Sequence, residues 1–119
     1  YIEPSTIAYK DKQVIRDNFM NVLETMLKNK NYVGIATHDK YLIEKSYELI
    51  KELNIPRDKF EFQMLLGERE DLRDKINNDG YKIRVYVPFG KDWYAYSIRR
   101  LQENPQLAGH IVKEFFAFR

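Results

Sequence analysis

YKIRVYVPFGKDWYAYSIRR, Tyr81 to Arg100, is the stretch from which the fold is read. It opens with alternation: Ile83, Val85 and Val87 point one way, Lys82, Arg84 and Tyr86 the other. A period of two carried by β-branched residues predicts a strand. Pro88 and Gly90 end it, because proline donates no ladder hydrogen bond and glycine frees the backbone for a turn. Asp92 is placed to cap a new helix. On that helix Tyr96, Arg99, Arg100 and Glu103 recur at helical spacing and share one face. A strand end, a short turn and a helix with twin arginines together form a candidate anion-binding corner.

Working outward, the same logic divides the rest of the chain. Tyr1 to Lys10 reads as a loop. Asp11 to Lys28 reads as a helix, with Val14, Ile15, Phe19, Val22, Leu23, Met26 and Leu27 at spacings of three and four. Tyr32 to Thr37 is a short apolar run of strand type, and Lys40 to Leu53 is again helical. Phe60 to Leu65, FEFQML, is the next strand, and Glu70 to Asn77 a charged helix leading to Asp79-Gly80. Beyond Asn104-Pro105, Leu107 to Phe118 reads as a last helix. Strands starting near Tyr32, Phe60 and Tyr81 with helices between them imply parallel pairing through right-handed crossovers. Their apolar character on both faces predicts a sheet covered by helices. The rhythm fits an open doubly wound sheet or a segment of a barrel. A complete eight-unit barrel takes about 250 residues, so this chain would supply under half of one. No linker or low-complexity run interrupts residues 1–119, which predicts no internal domain boundary.

Composition narrows the function classes. An apolar fraction of 44% and a charged fraction of 32% suit a globular domain. Twenty basic against eighteen acidic residues leave a net charge of +2, and the charges are interleaved, so no nucleic-acid partner is expected. The absence of cysteine excludes thiolate chemistry and a disulfide framework, and fits a reducing compartment. No apolar run is long enough to span a bilayer. Nine tyrosines, seven phenylalanines and one tryptophan exceed what a plain core needs, and rings with a polar tip suit stacking against a ligand. There is no glycine-rich phosphate loop, no histidine-cysteine cluster at metal spacing and no nucleophile elbow. Chemistry at this chain therefore requires a cofactor or residues lying elsewhere.

In parallel α/β proteins ligands gather at the carboxyl ends of the strands. Those ends carry Thr37-His38-Asp39, Leu65-Leu66-Gly67 and Tyr86-Val87-Pro88, while the opposite loops are simply polar. Each candidate has a plainer competitor. Arg99 and Arg100 either grip a carboxylate or phosphate with planar forks, or form a surface pair in which Arg99 bonds Glu103. His38 either touches a ligand or hydrogen-bonds a backbone carbonyl. Tyr86 and Tyr96 are ligand walls or half-buried packing residues. Glu61, between Phe60 and Phe62, either sits inside a barrel or pairs with Arg84 on the next strand, and either reading predicts a salt bridge or hydrogen bonds. Met20, Met26 and Met64 read as gap-filling core.

Three motifs in series, GIATHD (Gly34 to Asp39), FEFQMLLG (Phe60 to Gly67) and VYVPFGKDWYAYSIRRLQENP (Val85 to Pro105), resemble the proline dehydrogenase family. The likeness is to the bacterial single-function enzymes and to the corresponding domain of the bifunctional proline utilisation A proteins, and it runs from Tyr1 to about Pro105. It implies a distorted (βα)8 barrel holding FAD, of which this chain would be the C-terminal part, about strands six to eight. It implies oxidation of L-proline to Δ1-pyrroline-5-carboxylate by hydride transfer to flavin N5, with electrons passed on to a membrane quinone. A cytoplasmic location, peripheral to the inner membrane, is the expectation that follows.

By the same resemblance, Arg99 and Arg100 match the pair that holds the proline carboxylate, with Arg100 also near the flavin. Tyr86, Tyr96, Leu65 and Tyr1 match walls of the substrate pocket, and Glu103 an acid orienting the arginines. Thr37 and His38 match positions contacting FAD. The remaining barrel strands, or another copy of the chain, are the expected structural partners, since an open three-stranded piece exposes strand edges and apolar faces. The chain by itself is expected to be inactive. The alternative function is a non-catalytic binding or interaction module that keeps the fold. A phosphate-binding barrel of another family is disfavoured, because it needs a glycine-rich strand-end loop near the arginines.

Overall fold

A computed structural model describes residues 3–91 and 93–103. The elements follow as α1 (Lys12–Lys28), β1 (Val33–Ala36), α2 (Lys40–Glu52), a 3-10 turn (Arg57–Lys59), β2 (Phe60–Leu65), α3 (Glu70–Asn78), β3 (Ile83–Tyr86) and α4 (Trp93–Glu103). Helix starts follow capping chemistry. Asp11 Oδ1 accepts from the amides of Gln13 and Val14, both at 2.9 Å, and Asp39 accepts from that of Tyr41 at 3.0 Å. The expected cap at Asp92, the helix from Leu107 to Phe118 and Tyr1 all lie outside the described residues.

The three strands form one parallel sheet in the order β1-β2-β3. Val33 and Ile35 pair with Phe60 and Phe62, and Phe62 pairs with Ile83, so these side chains share a face. That face is the core. Leu23 and Leu27 of α1, Ile43 and Ile50 of α2, and Leu72 and Ile76 of α3 all pack into it with Phe60, Phe62 and Met64. Tyr47 sets its ring edge-on to Phe62, with centroids 5.4 Å apart, and Tyr81 closes the aromatic cluster.

Three helices therefore cover the same face, and strand order never reverses. A doubly wound sheet reverses its order and covers both faces. The expectation of apolar character on both faces is corrected here, because the other face, which no helix covers among the described residues, carries Gly34, Ala36, Glu61, Gln63, Leu65, Arg84 and Tyr86. Strand β3 also stops at Tyr86, so Val87 is 53% exposed instead of continuing the inward set. Of the methionines, Met64 is buried and Met20 packs on the core, whereas Met26 is exposed. The stripe of α1 splits for a related reason: Leu23 and Leu27 reach the sheet, while Ile15, Val22 and Met26 flank a hollow beside the outer edge of β1.

Replacing Phe62, 1% exposed at the centre of the aromatic cluster, with Ala is expected to cost about 3–5 kcal/mol in urea unfolding. Val14→Ala, at an exposed position of α1, is expected to stay within about 0.5 kcal/mol.

Candidate functional site

The second face of the sheet is organised by Glu61, whose side chain is 1% exposed although no helix covers that face among the described residues. Arg84, one strand over, donates Nε at 2.5 Å and a second guanidinium nitrogen at 3.1 Å. The Gln63 amide donates at 2.9 Å, the Tyr32 hydroxyl at 2.8 Å, and Lys82 Nζ stands 3.1 Å away. Arg84 and then Gln63 hold the carboxyl far below the ordinary carboxylate range, assisted by Tyr32 and Lys82, against burial pushing it up. The pairing with Arg84, one of the two readings open from sequence, is present, as are the hydrogen bonds that both readings predict. Gly34 makes room for this arrangement: a Cβ there would stand 2.5 Å from Gln63 Nε2.

At the carboxyl end of the sheet, Ala36, Thr37, His38, Gln63, Met64, Leu65, Tyr86 and Tyr96 line a hollow of about 300 Å³. Leu65 and Tyr86 are register partners at the ends of β2 and β3. The φ of +94° at Gly90 turns the chain into α4, which brings the Tyr96 ring to 5.7 Å from that of Tyr86. The Arg100 guanidinium lies 5.4 Å from the Tyr96 ring centre, at cation–π range. Five sequence candidates, Thr37, His38, Leu65, Tyr86 and Tyr96, therefore line one hollow, and Arg100 is stacked beside it. Arg99, on the next residue of α4, is exposed. Glu103 closes α4, with its side chain outside the described part, as is the whole of Tyr1.

His38 Nε2 accepts the backbone N–H of Leu65 at 2.9 Å, and Nδ1 lies 3.4 Å from Glu68 Oε2. Burial lowers its pKa, Glu68 opposes that shift and Arg69 adds to it. The expected bond to a backbone carbonyl is corrected here: the imidazole accepts from an amide of β2 instead. Next to it, Asp39 accepts a two-pronged contact from Arg16 of α1, at 2.8 and 2.9 Å, which depresses the Asp39 carboxyl and ties α1 to the head of α2. Arg16 also stacks on Tyr41. Sequence reasoning missed Gln63 in the hollow and Arg16 behind it. Gln63 could have been found by alternation, two residues from Leu65 on the same face. Nothing in the spacing of Arg16 and Asp39 reveals their pairing. Among the described residues no cluster of metal-ligating side chains occurs, and no helix is long and apolar enough to cross a membrane.

A parallel layer with its helices on one face and a hollow at its strand ends is consistent with part of a (βα)8 barrel, the class of protein that fold and site define. The chain belongs to the proline dehydrogenase family, whose model, described as Proline dehydrogenase, matches residues 4–112. It is 42% identical over 113 residues to Proline dehydrogenase of Deinococcus radiodurans, covering 95% of this chain and 36% of that protein. To Proline dehydrogenase 2 of Bacillus subtilis strain 168 it is 42% identical over 105 residues, 88% of this chain and 35% of the relative. Proline dehydrogenase 1 of the same strain is 38% identical over 113 residues, 95% of this chain and 37% of the relative. The chain thus spans about a third of the length of the curated relatives it matches.

Glu61 supplies a pH test. Its folded-state pKa is depressed, so between the unfolded and folded values the unfolded chain binds the extra proton. Stability present at neutral pH is then expected to fall as pH drops below about 5. Urea midpoints measured across that range should decline less steeply for Glu61→Gln, which has no carboxyl to protonate, and should start lower at pH 7.

Proposed function

We propose that this chain is the C-terminal part, about strands six to eight, of a flavin-dependent proline dehydrogenase barrel. In this reading the hollow receives L-proline, which is oxidised to Δ1-pyrroline-5-carboxylate. The carrying observation is the juxtaposition of Leu65, Tyr86 and Tyr96 around a small cavity with the Arg100 guanidinium stacked on Tyr96. Zwitterionic proline offers an apolar five-membered ring and one carboxylate, and the two halves of the arrangement match the two halves of that molecule. Leu65 and the rings of Tyr86 and Tyr96 enclose the ring of the substrate, a role the family resemblance also implies for Tyr1. Arg99 and Arg100 hold its carboxylate by charge-assisted, two-pronged hydrogen bonds, and Glu103 orients them.

FAD fits the donor set of the same hollow. Thr37 uses its oxygen to accept from the Asp39 amide, which leaves its hydroxyl proton to donate. Gln63 gives its amide nitrogen to Glu61, leaving its carbonyl oxygen as an acceptor. Neutral donors and acceptors beside apolar walls suit the edge of a flat, uncharged heteroaromatic ring. Thr37, His38 and Arg100 are the residues that would hold it. Bound flavin supplies a two-electron acceptor for the hydride leaving C5 of proline. The chain's own contribution is alignment and exclusion of water: the arginines fix one end of the substrate while the aromatic walls fix the ring. Electrons leave for a membrane quinone, which places the complete enzyme in the cytoplasm at the inner membrane surface. The chain alone, with about a third of the barrel, lacks activity until its complement is present.

The test is an absorbance spectrum of the purified full-length protein before and after anaerobic L-proline. Flavin bands that bleach with proline support the reading, and flavin that stays oxidised refutes it. In the same protein, Arg100→Lys is expected to weaken proline affinity by about ten- to a hundredfold, since an ammonium cannot reproduce a charge-assisted fork. Unchanged proline affinity in that variant would remove Arg100 from the carboxylate site.

A further inference from the structure

The bonding of His38 separates it from the other side chains of the hollow. Strand β2 outlasts β1: Ala36, the last residue of β1, pairs with Gln63, two positions before Leu65. The amides of Phe62 and Leu66 bond the carbonyls of Lys82 and Tyr86 on the β3 side. By alternation the Leu65 amide faces the other side, where β1 has already ended. A buried-edge N–H of this kind needs an acceptor. His38 Nε2 supplies it at 2.9 Å, so an imidazole continues the ladder past the end of β1. Because Nε2 accepts, the ring proton sits on Nδ1, facing Glu68 Oε2 at 3.4 Å in the loop after β2.

We propose that His38 is a positioning residue of the proline site: its neutral ring, held between the Leu65 amide and the Glu68 carboxylate, clasps the loop after β1 to the loop after β2 and fixes the Leu65 side chain against the substrate. This rests on the reading of the hollow as the proline site. It assigns His38 a role that acts through Leu65, in addition to any contact with the cofactor.

Such a clasp depends on the protonation of the ring. A proton on Nε2 would set two donors face to face and break the bond to Leu65. Burial keeps the ring neutral by lowering its pKa, Glu68 opposes this, and Arg69 at the head of α3 adds to the lowering. The other charged or titratable groups around the hollow are accounted for. Asp39 at the head of α2 is paired with Arg16 of α1, Tyr86 and Tyr96 line the cavity from β3 and α4, and Arg100 stacks on Tyr96. With the folded-state pKa below the ordinary histidine value, the clasp is intact above that value and fails as pH falls through the folded one.

The experiment compares full-length wild-type holoenzyme with His38→Ala and His38→Gln, rates being normalised to bound flavin. Glutamine places Oε1 near the position of Nε2 and accepts a hydrogen bond at any pH. His38→Ala is expected to raise KM for proline about three- to tenfold, and hydrogen exchange in the peptide spanning residues 61–69 should gain one fast amide. His38→Gln is expected to restore both values and to abolish the rise of KM in acid seen in the wild type. Wild-type KM and wild-type exchange in His38→Ala would overturn the clasp, as would an acid rise of KM that persists in His38→Gln. A wild-type holoenzyme that does not oxidise proline would overturn the functional reading instead, and the exchange comparison separates that result from failure of the clasp.

Discussion

The structure depends on the two faces of β2 being chemically incompatible. Phe60, Phe62 and Met64 enter a core built by three helices, while Glu61, Gln63 and Leu65 face the opposite side. A slip of one residue would put a carboxylate among phenylalanine rings and the rings among Lys82 and Arg84. Both halves of that exchange are unfavourable, one through desolvation of charge and the other through loss of apolar burial. Register in the central strand is thereby fixed without help from a tight turn. The register in turn fixes which residues of β1 and β3 stand beside Glu61, and which stand together at the carboxyl end.

Most of this was legible in the sequence because local periodicity carried it. Apolar spacing marks the helices Lys12–Lys28 and Lys40–Glu52, the alternation around Ile83 marks a strand, and Pro88 with Gly90 marks its end. The polarity of the second sheet face was misread. Short apolar runs such as YVGIAT look hydrophobic on both sides, yet in that run only Val33 and Ile35 are buried. Gly34 and Ala36 contribute smallness instead of apolar bulk. Val87 was misassigned for a related reason, since alternation does not say where pairing stops.

The site was legible to a smaller degree. Tyr86, Tyr96 and Arg100 share a local stretch, so helix spacing and a short turn suffice to bring them together. Leu65 ends β2 and His38 follows β1, and their bond spans residues far apart in sequence, so only the parallel register reveals it. The pairing of Arg16 with Asp39 is equally non-local. These contacts share a physical character: charged or polar groups at strand and helix ends, where the regular ladder stops and side chains take over its hydrogen bonds.

Gly34 has a role defined by what it lacks. It pairs with Glu61 across the sheet, and the space where its side chain would stand is occupied by the Gln63 amide. A single methyl at this edge-strand position would displace that amide and withdraw one donor from Glu61. A purely steric change would so be converted into an electrostatic one on the neighbouring strand. The polar face of the sheet is in this sense a matter of allotted volume, with the room left empty by one residue deciding how fully a charge on the neighbouring strand is solvated by protein.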